Sequence, residues 1–388
     1  MKLFKYKKQI KEKKEAETIV QTVASKPPSL EMPTIRGYRN MPGIFFDLYS
    51  SIRESVPIID AAISKIVRLL GDFTVECEDK NIEDSLEYFL SRIQVNTCSR
   101  GINEFINAYL NQLLTYGTAI GEIILDKEME EIRALYNADL RNVELRTNSN
   151  PLELLVCTKN KNGEFEQIEY PELVLVSALN PEPGQIYGNS ILRGLPFISD
   201  ILLKIYNTIG INWERVGNVR FAITYKPSSE AGDRSYARER ATQIATEWQK
   251  AMNDIRNPSD FIAVGDVNIK VIGADNQVLD SQIPVRQMLE QIISKLSIPP
   301  FLLGLSWSTT ETMSTQQSDM LTSELDGYRR MLDPVIDKIC HAWMRLKGIN
   351  SDIKIIWNSV SLKDELRIAN TRLTLAKARE IEKRLEEK

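Results

Sequence analysis

The fold is decided by a stretch in which residues 280–310 read DSQIPVRQMLEQIISKLSIPPFLLGLSWSTT and residues 311–343 read ETMSTQQSDMLTSELDGYRRMLDPVIDKICHAW. The first segment predicts a helix, because its apolar residues recur every three or four positions. Pro299 and Pro300 end that helix, since proline lacks an amide hydrogen and pushes the preceding residue out of the helical region. The apolar positions are Val285, Met288, Leu289, Ile292, Ile293 and Leu296.

A polar loop follows over Leu303–Thr310 and leads into a second, longer helix. Pro334 lies inside that helix and predicts a kink rather than an end, because the apolar stripe resumes beyond it. The combination is typical of a moving part or a lining rather than of an active site. The stripe consists of Leu321, Leu325, Tyr328, Leu332, Val335, Ile339, Trp343 and Leu346.

Composition excludes several classes of protein. With 388 residues, 43% hydrophobic and 26% charged, the chain is typical of a globular protein of two or three lobes. No apolar run is long enough for a transmembrane helix, so we expect no membrane span. Residues 1–14 contain seven lysines without an apolar segment. We interpret residues 1–40 as a flexible basic arm, either a solvated tail or a segment that contacts a partner or nucleic acid.

The residue types that carry most enzyme chemistry are scarce. Cys77, Cys98, Cys157 and Cys340 form no C-x-x-C pair, which argues against a zinc site and a disulfide framework and suits a reducing compartment. The single histidine, His341, is more typical of a packed or surface position than of a base or ligand. No phosphate-binding glycine motif is present. We therefore expect neither enzyme activity nor a cofactor.

Elements before residue 190 indicate an α+β lobe. Helical periodicity covers Val56–Leu70, Ile82–Ile93 and Ile102–Tyr116, and Asn162-Gly163 is a hairpin signal between alternating runs. Period-two segments predict strands. They are Phe73–Cys77, Asn142–Arg146, Leu152–Cys157 and Leu173–Ser177, with an apolar run at Ile123–Leu125.

A long helix is predicted after residue 190, followed by a small insert. Its apolar seam is close to a heptad repeat, which fits either a core helix or a lining or inter-subunit helix. The seam is Ile191, Leu195, Ile198, Leu202, Ile205, Ile209, Trp213 and Val216. After it we predict a strand at Arg220–Tyr225, a helix at Glu239–Met252, two strands within Phe261–Ile272, a strand at Ile353–Trp357 and a charged helix at Leu362–Lys388.

This order of elements resembles the portal proteins of tailed bacteriophages over roughly Val56–Leu366. Each fragment is weak alone, but their joint order is specific. The matching fragments are Tyr116-Gly117-Thr118-Ala119, Tyr187-Gly188-Asn189-Ser190 before the long helix, Ile298-Pro299-Pro300-Phe301-Leu302-Leu303-Gly304 before the polar loop, the helix with Pro334, and Leu362-Lys363-Asp364-Glu365 after a strand.

The resemblance implies an α+β subunit with an α/β wing, two long stem helices, a small α/β clip and a proline-kinked helix after a tunnel loop. A crown domain would be short here. The implied parts are a wing at 41–189, stem helix 1 at 190–218, the clip at 219–273, stem helix 2 at 280–297, the tunnel loop at 298–313, the kinked helix at 314–346, and a wing strand and C-terminal helix at 347–388.

The resemblance also implies two sets of site residues. The DNA-facing tunnel loop would present Leu305, Ser306, Trp307, Ser308, Thr309 and Thr310, and the clip would dock partners through Lys226, Arg234, Arg238 and Arg240. Small hydroxyl groups can contact phosphates without ionic locking. Trp307 would either anchor the loop on the ring interior or wedge directly against the duplex.

Portal proteins form rings of about twelve subunits at one capsid vertex. The resemblance therefore implies packaging, retention and ejection of double-stranded DNA, with terminase, head–tail adaptor, major capsid and scaffolding proteins as partners. It implies a place in the virion, and in the host cytoplasm during assembly. A net charge of −4 suits a conduit better than a protein that grips DNA. The alternatives are a non-enzymatic oligomeric adaptor without a channel, and an enzyme with an unrecognised carboxylate site.

Overall fold

The computed structural model describes residues 42–358 apart from positions 149, 151, 161–162, 218–219, 273–280, 306–310 and most of 226–266. These residues fall into two compact units. The first is built from the chain up to residue 199 and from residue 290 onward, and the second from residues 200–289.

Four helices form the first part of the first unit, and local signals set their ends. Pro57 opens α2 in its first turn, the Asp79 side chain accepts the Asn81 N–H at the start of α3, and Gly117 closes α4 with φ 79°. These ends agree with the predicted helices. The bounds are α1 Pro42–Ser55, α2 Pro57–Leu69, α3 Lys80–Arg92 and α4 Ile102–Tyr116.

The central sheet has five strands in the order β3-β2-β5-β4-β9, and α4 packs on it. Only β2 and β5 run parallel; the other neighbours are antiparallel. Tyr109 of α4, fully buried, donates its hydroxyl to the Ala119 carbonyl of β4 (3.1 Å). The strands are β2 Gln94–Val95, β3 Ser99–Arg100, β4 Thr118–Leu125, β5 Ile132–Asn137 and β9 Val174–Ala178.

A second sheet, β6-β7-β8, covers a hydrophobic cluster beside the first. The predicted hairpin is confirmed: β7 and β8 pair antiparallel, and Gly163 between them has φ 88°, a conformation that favours glycine. The strands are β6 Val143–Thr147, β7 Leu154–Lys159 and β8 Phe165–Gln167.

The last described strand returns to the beginning of the unit. β1 (Phe73–Cys77) pairs antiparallel with β12 (Ile353–Trp357), so early and late parts of the first unit share one sheet. Both segments are predicted strands, but their pairing carries no local sequence signal. Within the second unit, β10 (Arg220–Tyr225) pairs antiparallel with β11 (Val267–Ile272).

The three long helices are α5 (Leu195–Gly217), α6 (Gln282–Leu296) and α7 (Glu311–Leu346). α5 begins five residues later than stem helix 1 was predicted to begin, because Ser190–Leu195 forms turns in which Gly194 has φ 91°. α7 begins at Glu311 rather than at 314, so the predicted loop of 298–313 is shorter at its end. The helix continues through Pro334, as predicted.

One helix of the structure was not predicted, and three predicted elements lie mainly or wholly outside the described residues. Helix α1 was not predicted. The predicted helix at Glu239–Met252, the first strand of Phe261–Ile272 and the helix at Leu362–Lys388 lie mainly or wholly outside the described residues. The part boundaries implied by the portal resemblance stay predictions.

A buried arginine holds α7 to the rest of the first unit. Arg329 is only 7% exposed, and its guanidinium donates to the Leu70 carbonyl from Nε (3.1 Å) and NH2 (2.6 Å). NH2 also donates to the Asn358 carbonyl (2.7 Å), and the group lies 5.3 Å from the Trp357 ring centre. One side chain therefore joins the end of α2, the end of β12 and the middle of α7.

Replacing this arginine should loosen the unit. Arg329→Met leaves two carbonyls without their charged donor, and we expect the free energy of unfolding to fall by about 2–3 kcal/mol. Urea unfolding followed by tryptophan fluorescence measures it. Arg330→Met, at the exposed neighbouring position, is the control and should stay within about 0.5 kcal/mol of wild type. Equal effects of the two variants would contradict the conclusion that Arg329 holds α7 to the rest of the first unit.

Candidate functional site

Most sequence-predicted site residues lie outside the described residues. Ser306, Trp307, Ser308, Thr309 and Thr310 belong to that group, and so do Lys226, Arg234, Arg238 and Arg240. Leu305, the remaining member of the predicted tunnel loop, is described and half-buried. The structure therefore defines the frame on either side of residues 306–310.

The segment entering this loop is held rigidly. α6 ends at Leu296, and Pro300–Leu303 forms a 3₁₀ turn that packs against α2. Gly304 follows with φ 75°, and Leu305 donates its backbone N–H to the Pro300 carbonyl (3.1 Å). Proline fixes φ and glycine permits the left-handed conformation, so this exit is set by the residue types that the sequence places there.

The segment leaving the loop is α7, whose described N-terminal side chains include exposed methionines. Met313 is 47% and Met320 is 71% exposed, seven positions apart and hence on one face of the helix. The same helix is held further on by Arg329. Both ends of residues 306–310 are thus connected to elements of the first unit.

The two Gly-containing motifs of the portal resemblance, 71 positions apart in the sequence, meet backbone to backbone. A Cβ atom at Gly188 would lie 2.0 Å from the Gly117 carbonyl oxygen and 2.3 Å from the Leu179 nitrogen. Leu179 donates its N–H to the Gly117 carbonyl (2.7 Å), and Asn189 donates to the Leu179 carbonyl (2.7 Å). Only glycine fits between these groups, which gives the motifs a physical reason.

Side chains of the second motif complete this junction. The Ser190 hydroxyl donates to the Thr115 carbonyl (2.6 Å) and accepts the Leu192 N–H (2.9 Å). The Tyr187 hydroxyl accepts the Leu145 N–H (2.8 Å), and burial raises the pKa of this tyrosine. The junction therefore fixes the chain just before α5 begins.

The α5 helix exposes large apolar side chains among its described residues. Leu195 and Leu202 of the predicted seam are buried, but Trp213 of the same seam is 64% exposed. Periodicity fits a core helix equally well, whereas this exposure favours a helix with a partner. The exposed set also includes Phe197, Leu203, Tyr206 and Ile211.

The distribution of charge along the sequence differs between residues 1–41 and the rest of the chain. Residues 1–41 contain ten Lys and Arg against four Glu, so the excess of acidic residues lies after position 41. Surface pairs such as Lys204–Asp200 (2.6 Å) neutralise part of this charge. His341 contacts the Asp337 backbone oxygen at 3.0 Å on its own helix, a local and structural contact.

Other classes of site find no support in the described part of the chain. There, no group of three or more His, Cys, Asp or Glu side chains is arranged to hold a metal ion. The described helices include none that is both long and apolar enough to cross a membrane.

The glycine junction can be tested directly. Gly188→Ala forces a Cβ into the Gly117 carbonyl, and we expect the free energy of unfolding to fall by about 3 kcal/mol or more. Urea unfolding measures the change. Gly210→Ala, within α5 and with no atom within 4 Å of the added carbon, is the control and should be neutral or stabilising by up to about 1 kcal/mol. If Gly188→Ala is as stable as wild type, the close approach is wrong.

Comparison with known proteins finds similarity in structure. The sequence matches no protein-family model, and none of the curated proteins matches it. A chain from the neck of a native gene transfer agent (GTA) particle, computed with C12 symmetry, aligns with a TM-score of 0.59 and 16% identity, over 84% of this chain and 88% of its own. A chain of the native GTA virion aligns with a TM-score of 0.59 and 13% identity, over 85% and 89%.

A crystal structure of an HK97 family phage portal protein from Corynebacterium diphtheriae aligns over 80% of this chain and 94% of its own, with 12% identity. Its TM-score of 0.42 is too low to carry an argument. The chain therefore has a mixed helix-and-sheet fold like that of the GTA neck chain and the GTA virion chain. The predicted resemblance to a tailed-phage portal protein agrees with this likeness of fold.

Proposed function

We propose that this protein is a portal: a ring-shaped DNA channel at one capsid vertex through which the genome is packaged, retained and ejected. The observation that carries the proposal is the likeness of fold, over most of both chains, to a chain from the neck of a GTA particle that was computed with C12 symmetry. A ring needs a surface on each subunit that fits the next subunit, and the protein offers one candidate.

The candidate surface is the exposed apolar face of α5. Tyr206 and Trp213 are 44% and 64% exposed, and they lie seven positions apart on one side of the helix. Exposed large apolar groups on one helix mark a contact with another molecule, because water contact with them is unfavourable. In the ring, a second copy of the chain covers this face.

The parts of the subunit follow from the resemblance. Residues 41–189 and 347–388 form the wing, α5 and α6 the stem, residues 219–273 the clip, and α7 the kinked helix behind the tunnel loop. Through Lys226, Arg234, Arg238 and Arg240 the clip docks terminase during packaging and the head–tail adaptor afterwards. The wing meets the major capsid and scaffolding proteins.

The net negative charge of the chain supports a role as a conduit for DNA rather than as a protein that grips DNA. Tight binding of DNA requires neutralisation of phosphates by Lys and Arg, and each such contact would retard a moving duplex. The predicted tunnel loop instead carries Ser306, Ser308, Thr309 and Thr310. In this proposal the polar segment between Gly304 and α7 faces the channel.

Ring formation depends on the α5 face in this proposal. Trp213→Glu places a charge where a second copy buries an aromatic ring, which removes about 2–3 kcal/mol of apolar burial and adds a desolvation cost. Native mass spectrometry should show rings of about twelve copies, the number that the portal resemblance implies, for wild type and smaller species for the variant.

Thr208→Glu, exposed on another side of the same helix, is the control and should keep the ring. A wild-type chain that stays monomeric across concentration and salt would refute the proposal. Rings with a closed centre would indicate the adaptor without a channel.

A lysine in the tunnel loop should slow DNA in a salt-dependent way. Ser308→Lys adds one charge per subunit around the duplex, and each phosphate contact contributes a slope of about −0.9 in log affinity against log salt. In a packaging assay the variant should be slow at low salt and recover as salt rises. Ser85→Lys, at an exposed position of α3, is the control and should package at the wild-type rate at every salt concentration. Packaging at the wild-type rate at every salt concentration would show that residue 308 does not face DNA.

A further inference from the structure

We propose that α7 is built in two parts: a fixed C-terminal part, held on both sides of Pro334, and an N-terminal lever over residues 311–326 that bends at Gly327. The sequence alone predicts the bend at Pro334. The contacts around that proline point to a different pivot.

Two cationic side chains hold the helix on either side of the proline. Arg329 donates to the carbonyls of Leu70 and Asn358, as described above. Lys338 donates from Nζ to the Val174 carbonyl of β9 (2.8 Å). Burial lowers the pKa of this lysine, and the nearby Glu172 opposes that shift.

These two anchors face opposite directions. Nine positions separate them, about two and a half helical turns, so Arg329 points towards α2 and β12 while Lys338 points towards the five-stranded sheet. A bend at a point between these two bonds would strain at least one of them, so together they oppose bending there. Pro334, which lies between them, is therefore held at one angle.

Burial differs on the two sides of Gly327. Before it, the buried described side chains form one narrow stripe at spacings of three and four: Ser318, Leu321 and Leu325. After it, burial extends around much more of the helix. The buried residues there are Arg329, Leu332, Val335, Ile336, Ile339, Cys340, Trp343 and Met344.

Gly327 itself has no packing reason to be glycine. A Cβ atom there would meet nothing nearer than the end of the Arg330 side chain at 3.9 Å. Glycine inside a helix costs about 0.5–1 kcal/mol relative to alanine, because its backbone is freer in the unfolded chain. A position with room for a methyl group that still carries glycine, next to the Arg329 clamp, is suited to bending.

The lever connects directly to residues 306–310. Its role in moving that loop rests on the proposed function, whereas the pivot itself does not. When the helix bends at Gly327, the buried side chains of Leu321 and Leu325 shift against their neighbours. The part of α7 after Gly327 stays in place.

Hydrogen exchange of the full chain, read by mass spectrometry, locates the pivot without DNA and in any oligomeric state. In wild type, amides of residues 318–326 should exchange at least about tenfold faster than those of 335–344. Gly327→Ala should slow residues 318–326 about two- to fivefold and leave 335–344 unchanged. Pro334→Ala should leave residues 318–326 unchanged.

Arg329→Met provides a second test. Without the bonds of Arg329, the amides of residues 328–333 should exchange as fast as those of the lever. Slowing of residues 318–326 by Pro334→Ala but not by Gly327→Ala would place the pivot at the proline and overturn the proposal. Uniform exchange along α7 would overturn it as well. Neither outcome bears on whether the protein forms a DNA channel.

Discussion

The backbone contact between Gly117 and Gly188 is the constraint on which the rest of the first unit depends. It forces the end of α4, the start of β4 and the turn before α5 into one place, since no side chain fits between the two strands of backbone. Hydrogen bonds from Leu179 and Asn189 then tie β9 to the same point. The sheet, the helix that covers it and the entry to α5 are thus fixed together.

A second point of attachment, Arg329, serves α7 in the same way. Both attachments act through backbone carbonyls rather than through side-chain pairs, and a carbonyl moves only when its whole element moves. α5 therefore starts from a fixed point and α7 is held at its middle, whereas Tyr206 and Trp213 of α5 are exposed and the described N-terminal part of α7 is buried along one narrow stripe only. A subunit of this kind suits an assembly in which loops contact a passing polymer and the wall stays still.

The sequence predicts the elements well where one local signal dominates. α4 is predicted to the residue, because an uninterrupted apolar stripe ends at a glycine. The start of α5 is predicted five residues early, since the apolar pattern continues through a turn that Gly194 permits. The pairing of β1 with β12 joins residues about 280 positions apart and leaves no local trace. α1 has too many apolar residues close together for a clear period.

The site residues also fall into those that the sequence points to and those that only the structure reveals. The Gly motifs are quoted from the sequence as fragments of a resemblance. The structure supplies their cause, because a Cβ atom added at Gly188 would lie only 2.0 Å from the Gly117 carbonyl oxygen, and no pattern predicts this close approach. Arg329 is missed, although an arginine between Leu325 and Leu332 in an apolar stripe is a signal of a buried charge with partners. For α5, the apolar periodicity alone does not distinguish a core helix from an interface helix, because both show the same pattern. The exposure of its apolar side chains favours the interface.

Electron cryomicroscopy of the purified full chain tests the central claim most directly. The account predicts a closed ring with a central channel wide enough for a B-form duplex, with residues 306–310 of every copy at the channel wall and the apolar face of α5 covered by the neighbouring copy. A monomer or dimer with that face uncovered, or a ring whose centre is closed by the wing sheets, would contradict it.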